Sequence, residues 1–251
     1  MTALALNTQG PGLDPDRFAR ILEQKYENLG ARELVSRSIN DAFADRITLV
    51  SSFGSGSAVL LHMVAQADKR TPVLFVDTGK HFGETLRYRD QLIDQLSLQN
   101  VTSLKPLEGD LSIHDPQGIL WSQNSIACCA IRKVAPLYAA LQNYDAWFTG
   151  RRRDQTDSRQ ALPRFEVADG KIKVNALANW TAEMVEDYFN EFKLPKHPLE
   201  ADGFLSIGCM TCTDRVVAGE DPRAGRWRGH NKTECGIHLI DTEFRNIGID
   251  I

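Results

Sequence analysis

The chain has 251 residues, 42% apolar and 25% charged, an ordinary globular composition with room for one large domain or a domain plus an appendage. A formal net charge of −4 excludes a general nucleic-acid binder, whose affinity rests on many basic contacts to phosphate. No run of about eighteen apolar residues occurs, and MTALALNTQGPGLDPDRF lacks the basic start and long apolar stretch of a signal peptide. The expectation is a soluble, cytoplasmic protein without a membrane segment.

Residues 14–44 read as two helices, the second carrying Leu34, Val35, Ile39, Ala42 and Phe43 at helical spacing, and together they form an N-terminal helical cap. From Arg46 the pattern changes. RITLVS is a short apolar strand, SFGSGS a glycine-serine turn and SAVLLHMVAQA an apolar helix. PVLFVD predicts a second strand, FGETLRYRDQLIDQL an amphipathic helix and VTSL a third strand; this alternation is the pattern of parallel α/β winding. Further on, DAWFTG predicts a strand and RFEVADGKIKVN a hairpin turning at Asp169-Gly170, where positive φ is needed. WTAEMVEDYFNEF follows as a helix with Thr181 as N-cap. Beyond LPKHPL the chain is rich in glycine and arginine without periodicity. The expected organisation is one nucleotide-binding α/β domain over residues 1–212 and a mobile carboxyl-terminal segment over 213–251.

The SFGSGS loop, Ser52 to Ser57, follows the first strand at its carboxyl end, where open α/β sheets bind ligands. Its backbone N–H groups and the following helix N-terminus suit an anion. It is neither a Walker A loop, having no Gly-Lys-Ser/Thr, nor a dinucleotide fingerprint, since Val59 stands at the third glycine position. An ordinary βα turn is the plain alternative. At the end of the second strand, Asp77 and Thr78 are placed to bind a ribose or base, Glu84 to stabilise the next helix N-terminus, and His81 reads as an exposed loop residue.

Five cysteines, Cys128, Cys129, Cys209, Cys212 and Cys235, are an odd number for a disulfide framework. In a reducing compartment they bind metal or do chemistry. CCAIRK and GCMTC together supply four thiols, suited to zinc or an iron–sulfur cluster; adjacent cysteines are unusual for tetrahedral zinc and favour a cluster of several metal atoms. A buried apolar pair and a thioredoxin-like redox pair are the alternatives, the latter lacking its βα context. If IRKVAPL continues as helix, Arg132 and Lys133 share faces with Cys128 and Cys129, four residues on; a solvated helix face is the competing reading.

Arg151, Arg152, Arg153 and Arg159 follow the DAWFT strand, and surface ion pairing accounts for at least two of them. Arg223, Arg226 and Arg228 offer forked donors to sulfate or phosphate oxygens, or belong to a solvated tail. If metal holds four cysteines, Cys235 has no partner within the chain, so a nucleophile there needs an external thiol. Lys232 and nearby arginines favour its thiolate and Glu234 opposes it.

Taken jointly, SFGSGS, VDTGKHFGETL, CCAIRK, FTGRRRDQTDSR, HPL, SIGCMTCT, GRWRG and KTECGIH resemble the iron–sulfur branch of the assimilatory adenylylsulfate (APS) and phosphoadenylylsulfate (PAPS) reductases, over most of the chain and in family order. The resemblance implies a Rossmann-like adenine-nucleotide α-hydrolase fold with a mostly parallel central sheet. It implies one [4Fe–4S] cluster on Cys128, Cys129, Cys209 and Cys212, with Lys133 between cluster and substrate. Substrate contacts are implied from the Ser52, Phe53, Gly54, Ser55, Gly56 and Ser57 loop, Gly150, Arg159, Arg223 and Arg226, and the nucleophile at Cys235. The implied reaction is reduction of adenylyl sulfate to sulfite and AMP through a Cys235 S-sulfonate, with thioredoxin or glutaredoxin as reductant, in sulfate assimilation and cysteine biosynthesis. The family's KRTECGLH stands here as NKTECGIH, so Asn231 removes one basic group. A PAPS reductase or dual-specificity enzyme, an ATP-splitting ligase and a metal-stabilised nucleotide sensor are the competing functions. A homo-oligomer stays open.

Overall fold

The computed structural model describes residues 14–229, 232 and 234–238; Asn231 and the end of the expected tail, residues 239–251, lie outside them. Six strands form one sheet in the order β3-β2-β1-β4-β6-β5: β1 (Ile47–Ser51), β2 (Val73–Val76), β3 (Val101–Leu104), β4 (Ala146–Phe148), β5 (Phe165–Ala168) and β6 (Lys171–Val174). All neighbours are parallel except β5 on β6, the hairpin pair, so the expected mostly parallel sheet is present with one antiparallel edge. Asp169 and Gly170 take φ of 51° and 69°, the two positive values a two-residue hairpin turn requires, and Gly170 meets the second without a Cβ penalty.

The helices are α1 (Pro15–Lys25), α2 (Ala31–Arg37), α3 (Ser57–Ala67), α4 (Gly83–Leu96), α5 (Glu108–His114), α6 (Leu120–Gln123), α7 (Ser125–Cys129), α8 (Ala135–Leu141) and α9 (Ala182–Phe192). As expected, Thr181 caps α9, its hydroxyl accepting from Met184 N at 3.2 Å. The N-terminal cap is real but its attachment is polar as well as apolar. Helix α1 packs on β5, and the buried Arg164 donates to the carbonyls of Tyr26, Glu27 and Leu29. One main core fills the space between β1, β2, β4, β6 and helices α1 to α4 and α9. A smaller one, around Leu74, Val134, Leu137 and Trp147, seats α8 against the opposite side of the sheet.

Strand order sets the position of everything that follows. β1 connects onward to β2 on one side and has β4 on the other, so the connections leaving the carboxyl ends of β1 and β4 diverge. That divergence opens a crevice at a topological switch point, where doubly wound sheets take their ligands.

The stretch from 108 to 129 holds three short helices that apolar periodicity does not reveal. Local caps start two of them: Asn124 Oδ1 accepts from Ile126 N and Ala127 N in α7, and Asp115 Oδ1 accepts from Leu120 N of α6 at 2.9 Å. The IRKVAPL segment does continue as helix, but through a π turn, Ala130–Val134. Arg132 and Lys133 still act on the sulfurs of Cys128 and Cys129 respectively.

Candidate active site

A cleft of about 490 Å³ opens at the switch point. The loop after β1, the segment after β4, residues 205–208, Lys133, Arg223, Arg226, Glu234 and Cys235 all line it. Ser55 Oγ donates to Leu205 O at 3.0 Å, tying the β1 loop to the chain that leads into Cys209. Apolar walls come from Leu49, Leu60, Trp147, Leu177 and Phe189, alongside the polar groups of the loop, Lys133 and the arginines, the usual make-up of a small-molecule site.

The four cysteines of the two pairs come from α7 and from a short turn after Cys209. Cys128, Cys129 and Cys209 are buried and all five thiols are free. Among the described residues, no three His, Cys, Asp or Glu side chains gather closely enough to hold a single metal ion. The thiols nevertheless share one electrostatic neighbourhood. Burial pushes the Cys128 thiol up to about 11, against the pull of Arg132, and the negative charges of Cys209 and Cys212 add to the rise. Thr78 Oγ1 stands 3.2 Å from Cys209 Sγ, and Lys232 Nζ stands 3.1 Å from Cys129 Sγ.

Cys235 faces that group. Lys133 Nζ lies 3.8 Å from its sulfur. A hydrogen bond from Cys129 holds the Cys235 thiol well below its usual range; burial opposes this, while Lys133 and the Ile237 N–H assist it. The same bond, with burial, pushes Cys129 upward. Burial works against the Lys133 ammonium, but the surrounding cysteine sulfurs, Cys209 and Cys235 foremost, outweigh it and hold the group above its ordinary value. Lys133 is therefore a fixed positive charge beside a sulfur nucleophile. The solvated-face reading fails for Arg132 as well: buried, it donates to Asp115 Oδ2 at 2.6 and 3.1 Å and to Thr78 O at 2.9 Å.

The arginines divide by partner. Arg151 is bound inward to Glu166 and Asn175, Arg152 pairs with Asp154 at 2.9 Å, and Arg153 spans Leu162 O and Asn179 outside the cleft. Arg159 donates from Nε and Nη2 to the two carboxylate oxygens of Glu234, both at 2.7 Å. Arg226 stacks over Trp227, 4.4 Å from the ring centroid, and its guanidinium lies so close to Gly208 that a Cβ there would collide with it. A side chain at Gly208 would have to push the Arg226 guanidinium aside, one residue before Cys209.

Of the sequence-selected positions, Ser52, Gly54, Ser55, Gly56, Ser57, Lys133, Gly150, Arg159, Arg223, Arg226 and Cys235 all meet in this cleft. Phe53, Asp77 and Thr78 do not line it. The Phe53 side chain is buried in the core, edge-on to Phe75 at 5.6 Å, with φ of 49°. Asp77 accepts from Gly79 N within its own turn, and the buried Thr78 hydroxyl is turned to Cys209. His81, expected as an exposed loop residue, is largely enclosed: it bridges Cys209 through the backbone, its ring bonds Val76 O at 2.9 Å, and it lines the cleft. Glu234 is legible only as a charge beside Cys235; its bidentate partner Arg159 lies 75 residues away and no local pattern signals it.

Comparison with known proteins gives the family. The phosphoadenosine phosphosulfate reductase domain matches residues 46–215, more than half of the chain. The adenosine 5'-phosphosulfate reductase of Mesorhizobium japonicum is 50% identical over 222 residues, covering 88% of this chain and 87% of the relative. That of a Chelativorans species is 49% identical, covering 92% and 95%. Among solved structures, the phosphoadenylyl-sulfate reductase of Candida auris in a phosphate complex superposes with a TM-score of 0.66 at 27% identity, over 79% of this chain and 96% of that one. With the matched domain covering strands β1 to β6 and the cysteine pairs alike, the chain belongs to the phosphoadenosine phosphosulfate reductase domain family.

Proposed function

We propose that this protein is an oxidoreductase that reduces adenylyl sulfate to sulfite and AMP, in sulfate assimilation, with a dithiol protein such as thioredoxin or glutaredoxin as electron donor. The observation that carries the reading is the meeting of Cys235, Lys133 and the arginines in the cleft at the switch point. The nucleotide lies along the β1 loop and the apolar walls, and the sulfo-phosphate end is directed to Lys133, Arg159, Arg223 and Arg226.

The Cys235 thiolate attacks the sulfur of the sulfo group. A bond forms between the two sulfurs, the bond from sulfur to the phosphate oxygen breaks, and AMP leaves with that electron pair. Lys133 and the arginines stabilise the negative charge that builds on the sulfonate and phosphate oxygens. A thiolate of the external dithiol then attacks Cys235 Sγ, and sulfite departs with the electron pair of the sulfur–sulfur bond. The second thiol resolves the mixed disulfide, returning the Cys235 thiolate and leaving the donor oxidised by two electrons. Cys235 moves between the nucleotide site and the external dithiol in this scheme, since one sulfur meets both.

The donor set fits the [4Fe–4S] group that the sequence implies: four free thiols, three of them buried, beside Lys133, Arg132 and Lys232. Cys128, Cys129, Cys209 and Cys212 would hold it, and a cluster spanning several metal atoms does not require three sulfurs around one point. When bound, it would supply a fixed charged centre beside the nucleophile and tie α7 to the turn after Cys209.

The test is incubation with adenylyl sulfate and a reduced dithiol protein. AMP and sulfite appear in equal amounts with the native chain, and Cys235→Ser forms neither while keeping its metal content. Absence of both products with the native chain overturns the reading. Phosphoadenylyl sulfate is the competing substrate, favoured by the Candida auris likeness. Comparing kcat/KM for the two adenylyl substrates decides between them.

A further inference from the structure

Glu234 is the residue before the nucleophile, and its carboxylate is seated in the cleft. Both oxygens are taken by the Arg159 fork at 2.7 Å, and Arg223 approaches one of them at 3.6 Å. The Arg159 and Glu234 side chains are only 7% and 14% exposed, so this is not a solvent-screened surface pair. Arg159 is fixed from behind by Gln155. A planar, bidentate, desolvated arginine seat selects a two-oxygen anion, whether carboxylate, phosphate or sulfate.

We propose that Glu234 is an internal anion of the substrate site, occupying the arginine seat until the sulfo-phosphate end of the substrate displaces it. This rests on the proposed role of Arg159 and Arg223 as the seat of the substrate's anion. Two negative groups cannot share one bidentate fork at full strength, so substrate entry and Glu234 seating oppose each other. Because Cys235 is the next residue, the exchange also moves the nucleophile. With the seat filled by Glu234, Cys235 stays half-buried beside Lys133; with an external anion bound there, Cys235 is released. The acidic residue that adds nothing to thiolate formation thus sets the affinity for substrate and covers the sulfur in its absence.

Alkylation of Cys235 by neutral iodoacetamide, read by peptide mass mapping of the full chain without substrate, tests this. Inorganic sulfate, against potassium chloride at equal ionic strength, accelerates labelling of the native chain by about tenfold, as expected for loss of one charge-assisted contact. Glu234→Gln labels about tenfold faster than the native chain without sulfate, gains nothing further from it, and shows a lower KM for adenylyl sulfate. Equal labelling rates in the two proteins, or an equal response of both to sulfate, overturns the proposal. A chain that labels in the expected pattern but makes no sulfite keeps the internal anion and loses the proposed reaction. Turnover of adenylyl sulfate without the labelling pattern does the reverse.

Discussion

Lys133 Nζ reaches Cys235 Sγ at 3.8 Å across 102 residues of chain. The lysine is carried by the π turn between α7 and α8, which is anchored beneath the sheet by the Leu74 and Trp147 core. The cation is therefore placed by the domain and the sulfur by the carboxyl-terminal segment, and their meeting depends on how that segment lies.

This pairing predicts the response to neutralising the lysine. Lys133→Gln should raise the pH midpoint of Cys235 alkylation, because a charge that holds the thiolate is gone. It should also lower kcat/KM by about 100-fold, the cost of removing one donor from a developing anion. The measurement is the pH profile of labelling beside steady-state kinetics; an unshifted profile would remove Lys133 from the site's electrostatics.

The metal reading makes an independent prediction. Protein prepared without oxygen should carry about four iron and four sulfide per chain and absorb as an iron–sulfur protein. Cys209→Ser should lose most of that iron, whereas Cys235→Ser should keep it. Zinc in stoichiometric amount without iron would contradict the assignment.

Much of this was legible in the chain itself, and the reasons are physical. β1, β2 and β4 are buried on both faces and read as largely apolar runs, broken in β1 only by the buried Thr48 and Ser51, so their existence, and the βα order that forces a parallel sheet, follow from pattern alone. Helices α5 to α7 are too short for an apolar stripe to show, and α6 and α7 start on hydrogen bonds to Asp115 and Asn124. Thr78 was misdirected for a different reason. Its place at a strand's carboxyl end suits a ligand contact, but the approach of Cys209, 131 residues on, turns its hydroxyl toward sulfur. Glu234 shows the same limit, since a charge has no readable role until its partner's position is known.

The buried Arg132–Asp115 pair should be sensitive to removal of either member. Its side chains are 8% and 1% exposed, and Arg132 also binds the Thr78 carbonyl. Asp115→Asn leaves a guanidinium without its counter-charge and should cost about 3–5 kcal/mol of stability. Replacing the pair together by apolar residues of similar volume should cost less than the single change. Urea unfolding of the two variants decides it, and a small effect of the single change would show that water reaches the pair.

His197 predicts a pH dependence of stability. Its Nδ1 accepts from Leu199 N at 3.2 Å, so the ring proton sits on Nε2 and is donated to Thr85 Oγ1 at 3.1 Å. Both ring nitrogens are thus used by the neutral form, and the ring packs on Tyr88 in a buried setting. Burial pulls its pKa down to about 4, from 6.5 for the free side chain. Because the unfolded chain binds the proton first, stability from this group is complete above about pH 6.5 and is lost as pH falls toward 4. The total loss approaches about 3 kcal/mol below that window. His197→Gln, which preserves a donor and an acceptor without titrating, should flatten the unfolding free energy between pH 6.5 and 4 relative to the native chain. A native slope that survives this substitution would place the titrating group elsewhere, with His62, also buried and lowered, the first to examine.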